Sequence, residues 1–384
     1  MARELDLYPE WNNVSSSLAL NNTIAFNNAL REAKPGDTVL VPDGKSFVFI
    51  GGILAQDKHL LTIDVAGSAH FLYDRKLWPF NTSADSPDLY APCITARNCS
   101  SLTITSSSKQ RARVEVNYRN NMVYLVDSNK YRGGLINGNG KQWWNDCIKG
   151  NLPKHGDSRP RLIYIKQSTD VHVEKLTLLN SPFWTLVVAA VRAEVQEINV
   201  LVDRAYQASL LETNDSFTMK KPAFPIPVFP IDDLPDWVGR RLRQPQDLNT
   251  DGIDAYGRDI WIHDCIIQNA DDSVAVKPLR KFKSGILPSC TSNVTVENMV
   301  LTGFGASVGS VGPVREHNCI DNITFRNITM PGTGKGERTA HWEREGSCFF
   351  SKSFSRLDVI TGIYIKSNGF ECKNNVSASI TNIL

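Results

Sequence analysis

The chain carries a recurring short pattern of apolar and polar positions. Two apolar residues flank one polar residue, and another apolar residue follows five positions after the first, as at Val171, Val173 and Leu176. Alternation with a period of two residues indicates short β-strands. Related segments begin at Val195, Ile260, Val294 and Ile323. The starts follow one another at similar intervals, except for one much longer gap between Val195 and Ile260.

A residue suited to a tight corner follows nine positions after each start. These residues are Asn180, Arg204, Asn269, Gly303 and Gly332. Four of the five are Asn or Gly, which tolerate a positive φ better than other residues do. Strand and corner repeated at slightly more than twenty residues are typical of a parallel β-helix. A β-sandwich would need turns every 8–12 residues or so, so the spacing favours a solenoid, with Val171, Val195, Ile260, Val294 and Ile323 stacked in one interior column.

Three segments depart from this repeat. Residues 22–33 place apolar side chains at 24, 26, 29, 30 and 33, which predicts an amphipathic helix that caps the open end of the solenoid. The proline-rich stretch 220–246 indicates an inserted surface loop, with bounds of about 215–246. A segment of about 333–361 breaks the period and is expected to be irregular. We therefore predict an all-β parallel β-helix with an N-terminal capping helix, in which residues 1–384 form a single domain.

Composition and charge exclude several classes of protein. Hydrophobic residues make up 41% of the chain and charged residues 21%, which is enough for a large core and gives no signature of disorder. The net charge is only +2, so binding to nucleic acid through bulk positive charge is not expected. No run of 18 apolar residues occurs, and we expect no membrane partner.

Cysteines and glycosylation sequons indicate an extracellular protein. The eight cysteines contain no C-x-x-C pair, so metal-site spacing is absent, and their even number is compatible with disulfides whose pairing stays open. The sequons indicate a secreted glycoprotein, although Asn and Thr are also common in β-turns. No signal peptide is visible in this chain. The nine sequons start at Asn13, Asn21, Asn81, Asn98, Asn214, Asn293, Asn322, Asn327 and Asn375.

Aromatic and imidazole side chains have structural explanations that compete with functional ones. In a β-helix most tryptophans fill coil interiors or ends, although an exposed one could stack on a sugar. His172 and His263 stand at polar positions of predicted strands, and we expect their side chains to be solvated. The tryptophans considered are Trp143, Trp144, Trp184 and Trp261.

Three aspartates are spaced so that they would meet in a solenoid. Asp251 and Asp271 are about one coil apart, and Asp272 follows directly. Side chains one coil apart lie at roughly the ~4.8 Å strand spacing, so the three carboxylates are expected to gather on one outer face. Paired carboxylates ~6.5–9.5 Å apart suit an inverting glycosidase. Asx-turns at coil corners and a calcium site remain alternatives.

At these residues the sequence resembles the pectin-degrading polygalacturonases of glycoside hydrolase family 28, over roughly residues 17–370. The strongest motif is Asn249-Thr-Asp-Gly252, followed by Asp271-Asp272 and then Val274-Ala-Val-Lys277. Supporting motifs are Gly138-Asn-Gly140 with Trp143-Trp144, Arg159-Pro-Arg161, Asn180-Ser-Pro-Phe-Trp184 and Ser307-Val-Gly-Ser-Val-Gly312. The resemblance implies a right-handed parallel β-helix and hydrolysis of α-glycosidic bonds in pectin by inversion.

The resemblance also implies roles for individual residues. Asp271 is expected to be the general acid, and Asp251 and Asp272 the pair that activates water. Asn249 would lie in the same cleft, and Lys366 would bind substrate. The remaining residues expected at the substrate site are Lys277, Phe304 and Tyr364.

Three positions depart from the family pattern. Phe304 stands where a Gly-His-Gly motif has its histidine, Tyr364 replaces the arginine of Arg-Ile-Lys, and Ser273 replaces a cysteine. Loss of that arginine removes a guanidinium that would bind a carboxylate through two hydrogen bonds. Two alternatives therefore stay open: an impaired relative that binds pectin without cleaving it, and a hydrolase for rhamnogalacturonan or another decorated pectin. A structural β-helix such as an adhesin or tailspike is disfavoured by the aspartate motif.

The expected partner is a pectic polysaccharide substrate. We expect no cofactor, no metal ion and no nucleic-acid partner. The protein is expected to act as a secreted monomer.

Overall fold

The structure is a computed structural model, and it describes residues 14–80, 90–117, 122–126, 133–153, 158–213, 248–279, 286–288, 290–309, 319–330, 349–350 and 359–366. The three helices are α1 Ser16–Glu32, α2 Lys141–Ile148 and α3 Arg204–Thr213. The strands are β1 Thr38–Val41, β2 Ser46–Phe49, β3 Ile53–Gln56, β4 His59–Val65, β5 Ser68–Phe71, β6 Ile94–Arg97, β7 Ser100–Thr105, β8 Arg113–Asn117, β9 Met122–Val126, β10 Leu135–Asn137, β11 Ile163–Glu174, β12 Thr177–Leu179, β13 Leu186–Gln196, β14 Asn199–Leu201, β15 Ile253–His263, β16 Ile266–Gln268, β17 Val274–Val276, β18 Thr291–Leu301, β19 Ala306–Val308, β20 Cys319–Thr329, β21 Phe349–Phe350 and β22 Val359–Lys366.

Twenty of these strands form one continuous parallel sheet wound into a right-handed β-helix. The pairing divides it into three faces. Face one contains β3, β6, the first parts of β11, β13 and β15, and then β17, β19 and β21. Face two contains β1, β4, β7, the second parts of β11, β13 and β15, and then β18, β20 and β22. Face three contains β2, β5, β10, β12, β14, β16 and the end of β18. The predicted fold class is confirmed.

The core is a set of interior columns in which apolar side chains of successive coils stack. Val171, Ala193, Ile260, Val294 and Ile323 occupy one such column on face two, and all five are buried. The predicted column is therefore right at four of its five positions.

Val195, predicted for that column, lies instead in the next one. It pairs with Val173 on one side and with Ile262 on the other. The repeat in this coil starts two residues earlier, at Ala193, whose methyl side chain carries little hydrophobic signal.

Residues with positive φ mark a corner of every coil along face two. Asp170, Arg192, Asp259, Asn293 and Asn322 are in register and have φ values of 54°, 57°, 59°, 55° and 52°. Their side chains form a ladder between coils: Asn293 Nδ2 donates to Asp259 Oδ1 at 2.8 Å, and Asn322 Nδ2 donates to Asn293 Oδ1 at 2.8 Å. Two sequon asparagines thus have a structural role, and their glycosylation stays a prediction.

The predicted corner residues have mixed outcomes. Asn180 and Gly303 have positive φ, at 45° and 56°. Asn269 and Arg204 are not among the described residues with positive φ. Gly332 lies outside the described residues.

Helix α1 closes the N-terminal end of the solenoid, as predicted. Its polar side chains bind backbone carbonyls of the first coil in the way that a neighbouring strand would. Thr23 Oγ1 donates to Ile50 O at 2.7 Å, and Asn27 Nδ2 donates to Gly52 O at 3.0 Å. Unpaired strand edges readily pair with other chains, so these bonds protect the first coil. Leu30 is buried and Phe26 packs on the core, but Ile24, expected on the same face, is 50% exposed.

Two further features complete the described structure. Strands β8 and β9 form an antiparallel hairpin outside the main sheet. One disulfide joins Cys290 and Cys319. The whole of the predicted loop at 215–246 and most of the irregular segment at 333–361 lie outside the described residues, so the domain description stays a prediction. Among the described helices, none is long and apolar enough to cross a membrane.

Candidate active site

Three aspartates meet on face one because they precede strands of adjacent coils. Asp251 stands two residues before β15, and Asp271 and Asp272 stand just before β17, whose Val274 pairs with Ile253 of β15. One carboxylate oxygen from each aspartate lies within 4.8 Å of the others. The structure thus brings together the three residues expected to be catalytic. All three side chains are buried at this position, with exposed fractions of only 3%, 1% and 1%.

Asn269 holds the two aspartate-bearing segments together. Its Nδ2 donates to Thr250 O at 3.0 Å and to Asp272 O at 2.7 Å. Ser273 Oγ lies 2.9 Å from Asn269 Oδ1 and 2.5 Å from Thr302 O, and its single proton serves one of them at a time. The serine that replaces the family's cysteine is therefore part of this buried network. The sequence pattern identifies Asn269 only as a corner residue.

Two donors orient the Asp271–Asp272 pair. The backbone N–H of Asp272 donates to Asp271 Oδ1 at 2.8 Å. Ser307 Oγ, from the next coil, donates to Asp272 Oδ1 at 2.7 Å. Fixed donors reduce the reorganisation that a reaction requires, so both carboxylates are preorganised.

A buried lysine supplies a positive charge to the cluster. Lys277 Nζ lies 3.1 Å from Asp254 Oδ1 and 3.5 Å from Asp251 Oδ2. Asp254 is fully buried and is not among the predicted site residues. The alternation along β15 could have identified Asp254 from the sequence. Ile253 and Ala255 point into the core, so Asp254 points outward on the face that carries the other aspartates.

Burial and mutual repulsion change the titration of these groups. Burial, with the charges of Asp271 and Asp254, raises the pKa of Asp251 well above its ordinary value. Burial also raises the pKa of Asp254 to about 6, against the opposing effect of Lys277. Burial alone would lower the pKa of Lys277, but the charges of Asp254 and Asp251 raise it well above its ordinary value. The lysine is therefore held in its charged form, and the protonated form of Asp251 is favoured.

An aromatic and cationic wall borders the cluster. The side chain of Trp184 lies under two cations, with Arg161 Cζ 4.6 Å and Lys277 Nζ 5.1 Å from its ring centroid. Arg159 is fully buried, and its Nη1 donates to Pro182 O at 3.1 Å and to Leu248 O at 2.6 Å. Because Leu248 directly precedes the Asn249–Asp251 segment, Arg159 fixes the approach of that segment to the site.

Asn249 and Phe304, two further predicted site residues, both lie close to the aspartates along the chain or through a hydrogen bond. Asn249 precedes Asp251 by two residues and has a positive φ of 44°. The backbone N–H of Phe304 donates to Asp271 O at 2.9 Å, which places this residue beside the cluster.

The backbone register places Tyr364 and Lys366 on a different face from the aspartates. The register pairs Tyr364 with Thr324 and Lys366 with Arg326, which lie on face two. The aspartates border face one, where the strand next to β19 is β21. The side chains of β22 are not described, and the expected binding role of these two residues stays a prediction.

The three aspartates offer hard oxygen ligands of the kind that calcium or magnesium binds. Lys277 already places a positive charge 3.5 Å from Asp251, which opposes a second cation there. The donor set therefore fits acid–base chemistry better than metal binding.

Comparison with known proteins identifies relatives of this chain. A polygalacturonase of Chamaecyparis obtusa is 27% identical over 194 residues, which are 49% of this chain and 28% of that protein. A probable exopolygalacturonase B of Aspergillus fumigatus is 28% identical over 186 residues, which are 47% of this chain and 31% of that protein. The chain thus matches about a third or less of the length of these curated relatives.

Solved structures show the same fold at lower identity. The endo-xylogalacturonan hydrolase of Aspergillus tubingensis superposes with a TM-score of 0.53 and 21% identity, over 83% of this chain and 64% of that one. A polygalacturonase of Erwinia carotovora gives a TM-score of 0.51 and 18% identity, over 83% of this chain and 67% of that one. The family model described as glycosyl hydrolases family 28 matches residues 85–351, which include every strand from β6 to β20 and the whole aspartate cluster. The chain therefore belongs to glycosyl hydrolases family 28.

Proposed function

We propose that this protein hydrolyses α-glycosidic bonds in pectin, as a polygalacturonase-like enzyme. The observation that carries the proposal is the buried cluster of Asp251, Asp271 and Asp272, whose carboxylate oxygens lie within 4.8 Å of one another. Hydrolysis of a glycosidic bond needs one carboxyl group to protonate the leaving oxygen and another to activate water. A cluster of this kind supplies both.

The charges around the cluster explain how it can contain a protonated carboxyl group, which acts as an acid, beside an ionised one, which acts as a base. Several buried carboxylates face one lysine, so they cannot all be ionised at once. The raised pKa of Asp251 is the sign of a retained proton, which belongs to the cluster rather than to one residue. In the proposed mechanism Asp271 delivers a proton to the leaving oxygen, while Asp251 and Asp272 take a proton from the attacking water.

Inversion of the anomeric configuration is part of the proposal. It follows from the roles that family resemblance gives to the three aspartates, and not from their spacing. One oxygen of each carboxylate lies within 4.8 Å of the others, which is closer than the ~6.5–9.5 Å typical of the carboxyl groups of inverting pairs. Proton NMR of the first-formed product tests the stereochemistry directly, since a product that retains configuration would contradict the assigned roles.

The substrate is proposed to be a pectic polysaccharide that a secreted monomer meets outside the cell. Relatives named as polygalacturonases support galacturonan as the first choice. Tyr364, in place of an arginine, favours a substrate less dependent on a carboxylate at that position.

Release of reducing ends from polygalacturonate, rhamnogalacturonan and xylogalacturonan tests this function. Cleavage of at least one is expected, with the reaction compared against Asp271→Asn protein prepared in the same way. A protein that binds these chains and cleaves none of them would support the alternative of a binding relative, which Phe304 in place of histidine favours.

A further inference from the structure

Trp261 differs from Trp143 and Trp144 because its side chain faces solvent. Trp143 and Trp144 are fully buried, whereas Trp261 is 43% exposed. Its neighbours along β15, Ile260 and Ile262, point into the core, so Trp261 projects from the outer side of face two. An exposed indole offers a flat apolar face that a ligand can cover, together with a polar N–H at its edge.

The indole of Trp261 is held in one orientation. Its Nε1 donates to Glu297 Oε1 of the next coil at 2.7 Å. One ring face stacks on the imidazole of His263, with centroids 3.9 Å apart and an interplanar angle of 26°. A side chain fixed in this way loses little conformational entropy when a ligand covers it.

His263 is itself anchored, contrary to the expectation that it would be solvated. It is only 6% exposed, so that expectation is wrong. Its Nδ1 lies 2.6 Å from Asp264 Oδ2 and its Nε2 lies 3.2 Å from Glu194 Oε1. The stack of Trp261 on the imidazole explains its burial, because the indole covers a polar position that the strand alternation leaves on the outside.

The surroundings of Trp261 are polar. A protein-binding surface has an apolar core of several residues, whereas here a single aromatic ring lies among carboxylate, hydroxyl and guanidinium groups. Arg326 and His172 are each about half exposed at the edges. On neighbouring coils, the outward positions in register with Trp261 are Thr103, His172, Glu194, Thr295 and Thr324. Those in register with His263 are Glu174, Gln196, Glu297 and Arg326.

We propose that the outer side of face two around Trp261 is a second carbohydrate-binding site, separate from the aspartate cluster. The flat C–H face of a pyranose ring would stack on the exposed side of the indole. Ring hydroxyls would bond to Glu194 and Thr295, the residues in register with Trp261 on the two neighbouring coils at roughly ~4.8 Å per coil. The proposal rests on the proposed function only for the choice of pectic chains as the first probes.

Because the site lies on face two and the aspartates border face one, binding and cleavage can be measured separately. Retention in native gels that contain polygalacturonate, rhamnogalacturonan or arabinoxylan is compared for Asp271→Asn protein with and without Trp261→Ala. Loss of the indole is expected to weaken retention about tenfold or more. Turnover of short soluble oligosaccharides by the otherwise unmodified Trp261→Ala enzyme is expected to stay unchanged.

Two control variants separate stacking from general surface effects. Trp261→Phe keeps an aromatic face and loses the Nε1 donor, so it should recover part of the retention. Phe80→Ala removes an exposed aromatic ring, 60% exposed, from another part of the surface and should change nothing. Thermal unfolding of each variant checks that the fold is intact.

The outcomes are distinct. Equal retention with and without Trp261, or no retention of Asp271→Asn protein in any of the three gels, overturns the proposal. A change in oligomeric state of Trp261→Ala would identify the surface as a contact between copies and would also overturn it. Failure of the proposed function is separate, since it would appear as absence of cleavage by the wild-type enzyme while Trp261-dependent retention persists.

Discussion

Lys277 Nζ lies 3.1 Å from Asp254 Oδ1, and both side chains are buried beside the aspartate cluster. A buried ion pair gains Coulomb energy but loses the hydration of both ions. Here one lysine serves two carboxylates, since Asp251 lies 3.5 Å away from the same Nζ. The single positive charge is therefore shared between them, and the pKa of Asp251 stays raised well above its ordinary value.

The titration of Asp254 is expected to lower stability as pH rises. Its pKa is raised from 3.8 to about 6 in the folded protein, so between these values the folded state holds a proton that the unfolded state has lost. The free energy of unfolding contributed by this group is full below pH 4 and is lost as pH rises through 6. A difference of about two units corresponds to about 3 kcal/mol.

Urea denaturation at pH 4, 5, 6 and 7 measures this effect as a difference between wild type and Asp254→Asn. The amide does not titrate, so wild type should lose about 2 kcal/mol relative to the variant between pH 4 and pH 7. Taking the difference cancels the contribution of the carboxylates that do not interact with Asp254. A wild type that instead gains stability relative to the variant between pH 4 and 7 would contradict the raised pKa.

Asp271→Asn is expected to lower kcat by ~10²–10⁴-fold, because the amide cannot deliver a proton to the leaving oxygen. Reducing-end release at saturating substrate measures kcat, and circular dichroism checks the fold. Asp259→Asn is the matched control. Asp259 occupies a corner position where the next two coils already have asparagine, Asn293 and Asn322, with nearly the same φ. If Asp271→Asn keeps the kcat of this control, Asp271 is not the acid.

Asn269→Ala should harm both stability and catalysis. It removes the donor to Thr250 O and Asp272 O inside the protein, and buried carbonyls left without partners cost about 2–4 kcal/mol together. The freed segments also carry Asp251 and Asp272, so kcat is expected to fall more than tenfold in the fraction that stays folded. Asn199→Ala, which loses a single 3.4 Å hydrogen bond on face three, should change stability by less than about 1 kcal/mol and leave kcat unaltered. Equal effects of the two variants on stability and kcat would contradict the positioning role of Asn269.

Phe304→His is expected to raise activity. The backbone of Phe304 is hydrogen-bonded to the carbonyl of Asp271, so an imidazole at this position would stand beside the proposed acid. A new hydrogen-bond donor there should increase kcat about tenfold if it strengthens in the transition state. Phe304→Leu changes the side chain without adding a donor and should give no increase. A histidine variant no faster than the leucine variant would show that the family's histidine is dispensable in this chain.

The sequence predicts the fold well because stacking in a solenoid is local. Val171, Ile260, Val294 and Ile323 repeat at the same point of each coil, and this repetition alone places them in one column. Ala193 is the exception, since a methyl side chain carries little hydrophobic signal and the larger Val195, two positions later, carries a stronger one.

The site is less predictable than the fold because part of its chemistry depends on burial and long-range contacts. A spacing of about one coil is enough to bring Asp251 and Asp271 together. The roles of Asn269 and Asp254 depend on which carbonyls and cations meet them from other segments. His263 shows the same limit: alternation puts it outside, but a tryptophan two residues earlier covers it.

The order of the coils has a consequence for folding kinetics. Neighbouring strands on face one are usually close in sequence, as where Ile163 pairs with Leu186 and Ile253 pairs with Val274. Two junctions on this face are longer, because Ile94 of β6 pairs with Ile163 of β11 and Leu186 of β13 pairs with Ile253 of β15 across a far longer stretch of chain. Closing a loop about three times longer costs about 1 kcal/mol more in chain entropy, and pairing across it is slower than zipping of the flanking coils. Asp251 stands two residues before β15 and therefore reaches the sheet only when the β13–β15 junction closes, so the candidate active site is expected to be completed after the coils on either side of that junction have formed.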